Sequence, residues 1–214
     1  MRIFAGKAAK AAVEVAPPPG PDQSYRELQQ LHMIAANRTP EGDAWATKIA
    51  DDGGSLVIRN MLGSYVRTHG ILKGWKATAM VTAANAATLR SSTAAKSMYK
   101  RMRPFDSDPT LPVLGSKPHD FSYPSGHTAT AHATARVMAH LWPERSEHFM
   151  ELARQAGQAR IYAGVHYPSD VAAGEELGRR VAEKVTGVPQ EALEKVATRE
   201  AGGSALQTGG FAAA

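Results

Sequence analysis

Apolar residues along this chain recur at three- and four-residue spacing, and the strict alternation of a half-buried strand is scarce. An Ala-rich opening leads into Pro17, Pro18, Pro19 and Pro21, which fix φ and remove donors, so residues 1–23 are expected as an extended lead-in. Ser24 with Glu27 has the form of a capping box, and Leu28, Leu31 and Ile34 or Ala35 follow on one face. Thr39-Pro40 opens the next helix, with proline in the first turn. Further helices are expected over 55–69, 72–90, 92–102, 124–141, 146–158, 168–185 and 189–199. Between them, Pro104, Pro109, Pro112, Gly115 and Pro118 mark residues 103–123 as a long ordered loop, a kind of segment that is often functional. Alanine is the commonest residue, which favours helix. The pattern predicts one all-α domain over residues 24–200 and a frayed Gly/Ala-rich tail over 201–214.

Composition agrees with a single domain. At 214 residues, 43% apolar and 21% charged, the chain can bury a sizeable core, which excludes wholesale disorder. Lysine and arginine exceed aspartate and glutamate by 25 to 20, a modest bias toward anionic partners. The absence of cysteine rules out disulfides, zinc ribbons, thiolate catalysis and iron–sulfur centres, and leaves the redox compartment open. No stretch approaches the ~18 apolar residues of a membrane span. The richest run, from Ala77 to Leu89, is interrupted by Thr78, Thr82 and Asn85. The first residues carry Arg2, Lys7 and Lys10 without an apolar run of signal-peptide length, so no export signal is expected in the chain as it stands.

Three short blocks differ from core or surface filler. They are Lys96 to Arg103 with Pro104, then Tyr123-Pro124-Ser125-Gly126-His127, and Ala159-Arg160 followed by His166 and Asp170. Pro124, Ser125 and Gly126 before an Ala/Thr-rich run predict a helix N-terminus, where free backbone N–H groups and the dipole favour an anion. Gly126 lets that anion approach, and His127 sits in the same first turn. Asp170, four residues after His166, can reach back to Nδ1–H and leave Nε2 directed as a nucleophile. Lys96 and Arg103 are seven residues apart, nearly two helical turns, so one helix face would carry both. Cations gathered round a helix N-terminus and a histidine are costly without a polyanion between them, and phosphate suits the place.

These blocks resemble the three-part signature of the type 2 phosphatidic acid phosphatase (PAP2) superfamily: K-x6-R-P, P-S-G-H and S-R-x5-H-x3-D. AKSMYKRMRPF, SYPSGHTA and GQARIYAGVHYPSDVAAG are most similar to its soluble branch, the bacterial class A non-specific acid phosphatases. The chain departs from the pattern at Ala159, where the family has serine. The resemblance implies an all-helical fold and a metal-independent acid phosphatase of phosphate monoesters. His166 would form a phosphohistidine, Asp170 would orient it, and His127 would protonate the leaving group and then activate water. Lys96, Arg103, Ser125, Gly126 and Arg160 would hold the phosphoryl oxygens. No cofactor is implied, although phosphate or vanadate would fit the site. A homodimer, a periplasmic or secreted location and phosphotransfer to alcohols would all be in keeping with the branch, with a cytoplasmic location left open.

The other histidines read more plainly. His132 and His140 fall with Arg136 on the side opposite His127 and are expected on a solvated face. His69 reads as a helix-end cation, and His32 and His148 lack partners at metal-ligand spacing. His119 and Asp120 lie in the long loop, either at the substrate mouth or on plain surface. No H-E-x-x-H, P-loop or dinucleotide fingerprint is present. The function expected is hydrolysis of small, water-soluble phosphate esters at mildly acidic pH, where His127 would be protonated. The alternatives are a vanadium-dependent haloperoxidase and a phosphatase of lipid or isoprenoid diphosphates. Interspersed charges and only 7% aromatic residues argue against a nucleic-acid-binding module.

Overall fold

The computed structural model describes residues 12–51 and 55–189. These form α1 (Pro21–Ala36), α2 (Pro40–Asp51), α3 (Ser55–His69), α4 (Ile71–Tyr99), the short α5 (Pro104–Ser107), α6 (Gly126–Leu141), α7 (Ser146–Tyr162) and α8 (Pro168–Thr186). A single 3₁₀ turn, Pro143–Arg145, joins α6 to α7, and no strand occurs among the described residues. The protein is all-α, as its periodicity predicts. The helix expected over 189–199 and the tail over 201–214 lie outside the described residues, apart from residue 189.

Helix α6 is the axis of the fold. Its small Ala and Thr side chains let α4, α7 and α8 pack around it, and the run from Ala131 to Ala139 is buried throughout. Contact is closest with α8, where two glycines face the α6 backbone. A Cβ at Gly174 would stand 2.6 Å from the carbonyl oxygen of Ser125, and one at Gly178 would stand 2.6 Å from that of Ala129. This approach brings the N-termini of α6 and α8 together, and the Ser125 amide donates to the Asp170 carbonyl at 2.9 Å. Two of the three sequence blocks therefore meet at one point.

Three local expectations are corrected. First, α1 begins at Pro21 with Gly20 as its N-cap, because proline with its preset φ suits the first turn. Ser24 is therefore not a cap, and Glu27 is buried. Second, α4 runs unbroken where two helices were expected. Ser91 and Ser92 do not interrupt it, because their hydroxyls donate to the carbonyls of Ala87 (2.8 Å) and Leu89 (3.1 Å) in the preceding turn. Third, His132 and Arg136 are buried, not solvated: they sit between α6 and its neighbours, with Arg136 Nη2 3.4 Å from Glu175 of α8. Of the expected lead-in, residues 21–23 belong to α1, and residues 12–20 lie outside any helix and are anchored. Val13 and Val15 are buried, the Val13 amide donates to Ser91 Oγ at 2.8 Å, and Tyr99 and Tyr123 hydroxyls donate to the carbonyls of Val15 and Ala16.

Candidate active site

A cavity of about 250 Å³ opens between the C-terminal part of α4, the loop before α6, and the first turn of α6. Lys96, Arg103, Gly126, His127 and His166 line it, joined by Asp120 and Thr130. Arg103 is not on the same helix as Lys96, as its seven-residue spacing suggested. Helix α4 stops at Tyr99, with Lys100 in the left-handed conformation, and Arg103 follows in extended backbone as the N-cap of α5. The two cations nevertheless converge, because both grip Asp120. Lys96 Nζ lies 3.2 Å from Oδ2, and Arg103 Nη2 donates to Oδ1 at 2.5 Å. Burial would raise the Asp120 carboxyl, but Arg103 and Lys96 prevail and hold it down at about 2.

His166 is fully enclosed except toward the cavity. Its Nδ1 lies 3.3 Å from Asp170 Oδ2, and its Nε2 lies 3.2 Å from Arg103 Nη1. A guanidinium only donates, so Nε2 carries the lone pair and the ring proton sits on Nδ1, facing Asp170. Burial, with Arg103 and Lys96 against it and Asp170 for it, depresses the imidazolium to about 3, so the ring is neutral. Asp170 is itself completely buried. Its carboxylate accepts from Ser122 Oγ, the Tyr167 amide (2.9 Å), His166 and Arg101 Nη1 (2.6 Å). Burial alone would raise its pKa, and these donors together lower it instead.

Ser125 is buried and caps α6, accepting from the Thr128 hydroxyl at 2.9 Å and from its amide at 3.4 Å. It does not line the cavity; its neighbour Gly126 does, and a Cβ there would meet nothing nearer than Ser92 Oγ at 3.9 Å. Arg160, in the last turn of α7, is buried beside Arg103 and His127, and its Nε has no hydrogen-bond partner in the protein. Burial and the Arg103 charge lower it to about 10. A buried donor left unpaired is costly, so the arrangement favours an anion that accepts from it. His127 is held near 4 by burial and then by Arg160, Arg103 and Lys96. Without an anion in the pocket, His127 is therefore unprotonated at the mildly acidic pH expected for its acid role. Ala159 is buried and adds no polar atom.

Five of the eight predicted residues thus line one cavity, Asp170 holds the histidine at its floor, Arg160 lies beside Arg103 and His127, and Ser125 caps the helix behind. The sequence reading missed Arg101 and Ser122, which hold Asp170. Extended backbone would put Arg101 and Arg103, two residues apart, on one side, so the R-x-R spacing gives no signal that Arg103 lines the cavity while Arg101 holds Asp170 from behind. Asp120, left between mouth and surface, is at the mouth. Among the described residues no group of three or more His, Asp or Glu is gathered as a metal site, and no helix is long and apolar enough to cross a membrane.

The PAP2 superfamily profile matches residues 73–190, and the chain belongs to that superfamily. Over 118 residues it is 33% identical to the non-specific acid phosphatase of Salmonella typhimurium, covering 50% of this chain and 45% of that one. It is 42% identical over 57 residues to the lipid A 1-phosphatase of Rhizobium etli, covering 27% of this chain and 25% of the relative. The chain thus matches half or less of the length of these curated relatives. A bacterial vanadium-dependent iodoperoxidase has the same fold, with a TM-score of 0.70 at 19% identity, over 84% of this chain and 53% of the other.

Proposed function

We propose that the protein is an acid phosphatase of small phosphate monoesters that works through a phosphohistidine on His166. The observation that carries this is the orientation of His166 between Asp170 and Arg103, with an unprotonated Nε2 directed at a cavity ringed by cations. Its likeness to the Salmonella acid phosphatase supports the same substrate class.

In the first step Nε2 attacks phosphorus in line, the N–P bond forms, and the bond to the ester oxygen breaks. His127 gives its proton to the departing alkoxide. The Nδ1 proton stays against Asp170, whose negative charge offsets the charge gained by the ring. Lys96, Arg103, Arg160 and the Gly126 amide face the equatorial oxygens, where charge accumulates. In the second step His127 takes a proton from water, the hydroxide oxygen attacks phosphorus, and the N–P bond breaks to release phosphate. An alcohol in place of water would give phosphotransfer. His127 takes up the proton it needs from solvent as the substrate binds, because a bound dianion offsets the repulsion of Arg160, Arg103 and Lys96 and raises the imidazole.

The test is a substrate panel of aryl, nucleoside and lipid phosphates in excess chelator, run in parallel on the wild type and His166→Ala. Chelator-resistant turnover of water-soluble esters that disappears in the variant is expected. Full activity in His166→Ala, or complete loss with chelator, contradicts the proposal. The same cations fit vanadate, so peroxide-driven halide oxidation after vanadate loading is the outcome that would favour a haloperoxidase.

A further inference from the structure

One heavily bonded charged group near the site faces away from the cavity. Arg101 follows α4, and its guanidinium carbon lies over the Tyr167 ring, 4.0 Å from the centroid. Nη1 donates to Asp170 Oδ1 at 2.6 Å and to Ser169 Oγ at 2.7 Å. Nη2 donates to Ser24 Oγ at 2.8 Å and to Glu27 at 3.3 Å. Glu27 is in turn held by Ser169 Oγ, which donates at 2.6 Å, and by Gln23 at 3.1 Å. Ser24 and Glu27, which the sequence suggested as a helix cap, are thus the far wall of this arginine's pocket. With His166 behind Asp170, four charged or polar groups form one line from α1 to the cavity: Glu27, Arg101, Asp170, His166.

We propose that Arg101 is a positioning residue for the reaction: fixed by Glu27 of α1, it holds the Asp170 carboxylate in the orientation that presents His166 Nε2 to phosphorus. The inference rests on the phosphohistidine proposal for its chemical meaning, and it adds α1 to the working parts of the site. Without Arg101 the buried Oδ1 would lose its one donor, and the carboxylate, left with its charge unopposed, would draw the Nδ1 proton across more readily. Arg101 occupies Oδ1 and so leaves Oδ2 for His166, Ser122 and Tyr167, which divides the two oxygens between two tasks. The planar fork is essential, because one terminal nitrogen serves Asp170 while the other serves Glu27. The other charged and titratable groups around the pair are Lys96 of α4, Arg103, Asp120 and Tyr123 of the following loops, His127 of α6, Arg160 of α7 and Tyr167 at the start of α8. None of these hydrogen-bonds to Asp170 Oδ1, which belongs to Arg101.

The test compares Arg101→Gln, Arg101→Lys and Glu27→Gln with the wild type, using aryl phosphate kinetics and the His166 Nδ1–H resonance of histidine-labelled protein at neutral pH, assigned by its loss in His166→Ala. Arg101→Gln should lower kcat by about 10–100-fold with KM little changed, in the range seen when groups that orient a reacting ligand are removed. It should also move the Nδ1–H resonance downfield, because Asp170 freed of its cation accepts more strongly. Glu27→Gln, which leaves Arg101 more fully on Asp170, should move it upfield. Arg101→Lys, keeping the charge but not the fork, should lower kcat with a resonance near that of the wild type. If Arg101→Gln fails to fold, the upfield movement in Glu27→Gln decides alone. Unmoved resonances, or the same direction in both glutamine variants, overturn the proposal. The resonance needs no turnover, so its result stands apart from failure of the phosphatase proposal.

Discussion

The guanidinium of Arg103 lies 3.2 Å from Nε2 of His166. Since arginine cannot accept, this contact fixes the tautomer that Asp170 selects from the opposite side of the ring. Asp170→Asn should therefore be far more damaging than its size suggests, because an amide can donate to Nδ1 and stabilise the wrong tautomer. A loss in kcat of about 10⁴-fold is expected, by comparison with the carboxylate of a serine protease triad. Steady-state turnover of an aryl phosphate, alongside circular dichroism to confirm folding, measures it.

Asp120 occupies the cations that phosphate needs. Its carboxylate bridges Lys96 and Arg103 while remaining 59% exposed at the side chain, so it can swing outward when an anion arrives. Asp120→Asn should strengthen competitive inhibition by inorganic phosphate by about tenfold, equal to roughly 1.4 kcal/mol of relieved competition. Inhibition constants at fixed ionic strength check this, and weaker inhibition would show that Asp120 organises the cations more than it competes for them.

His127 should change protonation on anion binding. Its pKa near 4 arises from burial and three cations, and a bound dianion reverses the electrostatic part. Histidine titration by NMR with and without sulfate, which does not itself titrate in this range, should show the His127 midpoint rising. An unchanged midpoint would remove His127 as the acid.

Stability should fall on acidification. His132, held near 3 mainly by burial, and His166, held near 3 likewise, both bind protons more readily unfolded, where the reference value is about 6.5. The unfolded state thus holds more protons between those values, so the contribution is whole above about pH 6.5 and is lost as pH falls toward 3. The slope is about 1.4 kcal/mol per unit for each histidine. Denaturant midpoints from pH 7 to 4 should decline, and the decline should be shallower in His132→Gln.

Gly178→Ala should weaken the α6–α8 seam, since its Cβ would stand 2.8 Å from the Ala133 amide as well as 2.6 Å from the Ala129 carbonyl. Overpacking of this kind costs about 1–3 kcal/mol. Thermal denaturation should show a lowered Tm.

The helices and the residues around the cavity were legible because each depends on local pattern or on a fixed spacing. Two failures have physical causes. His132 and Arg136 were assigned to solvent on the premise that a helix has one buried face, but α6 is surrounded, and small residues on every side give no amphipathic signal. Arg101 escaped notice because its partners Glu27 and Asp170 stand 74 and 69 residues away along the chain, and no spacing rule reaches that far. Glu27 itself had an adequate local explanation as a cap, and that explanation hid its burial.

The central claim is a covalent bond between phosphorus and His166. Its most direct test is rapid quenching of the enzyme during turnover of an aryl phosphate, followed by peptide mass spectrometry under alkaline conditions that preserve phosphohistidine. The account predicts phosphate on the peptide carrying His166, with accumulation when His127→Ala slows hydrolysis. Phosphate on a hydroxyl side chain, or turnover of the wild type with no phosphorylated peptide at any time point, would contradict it.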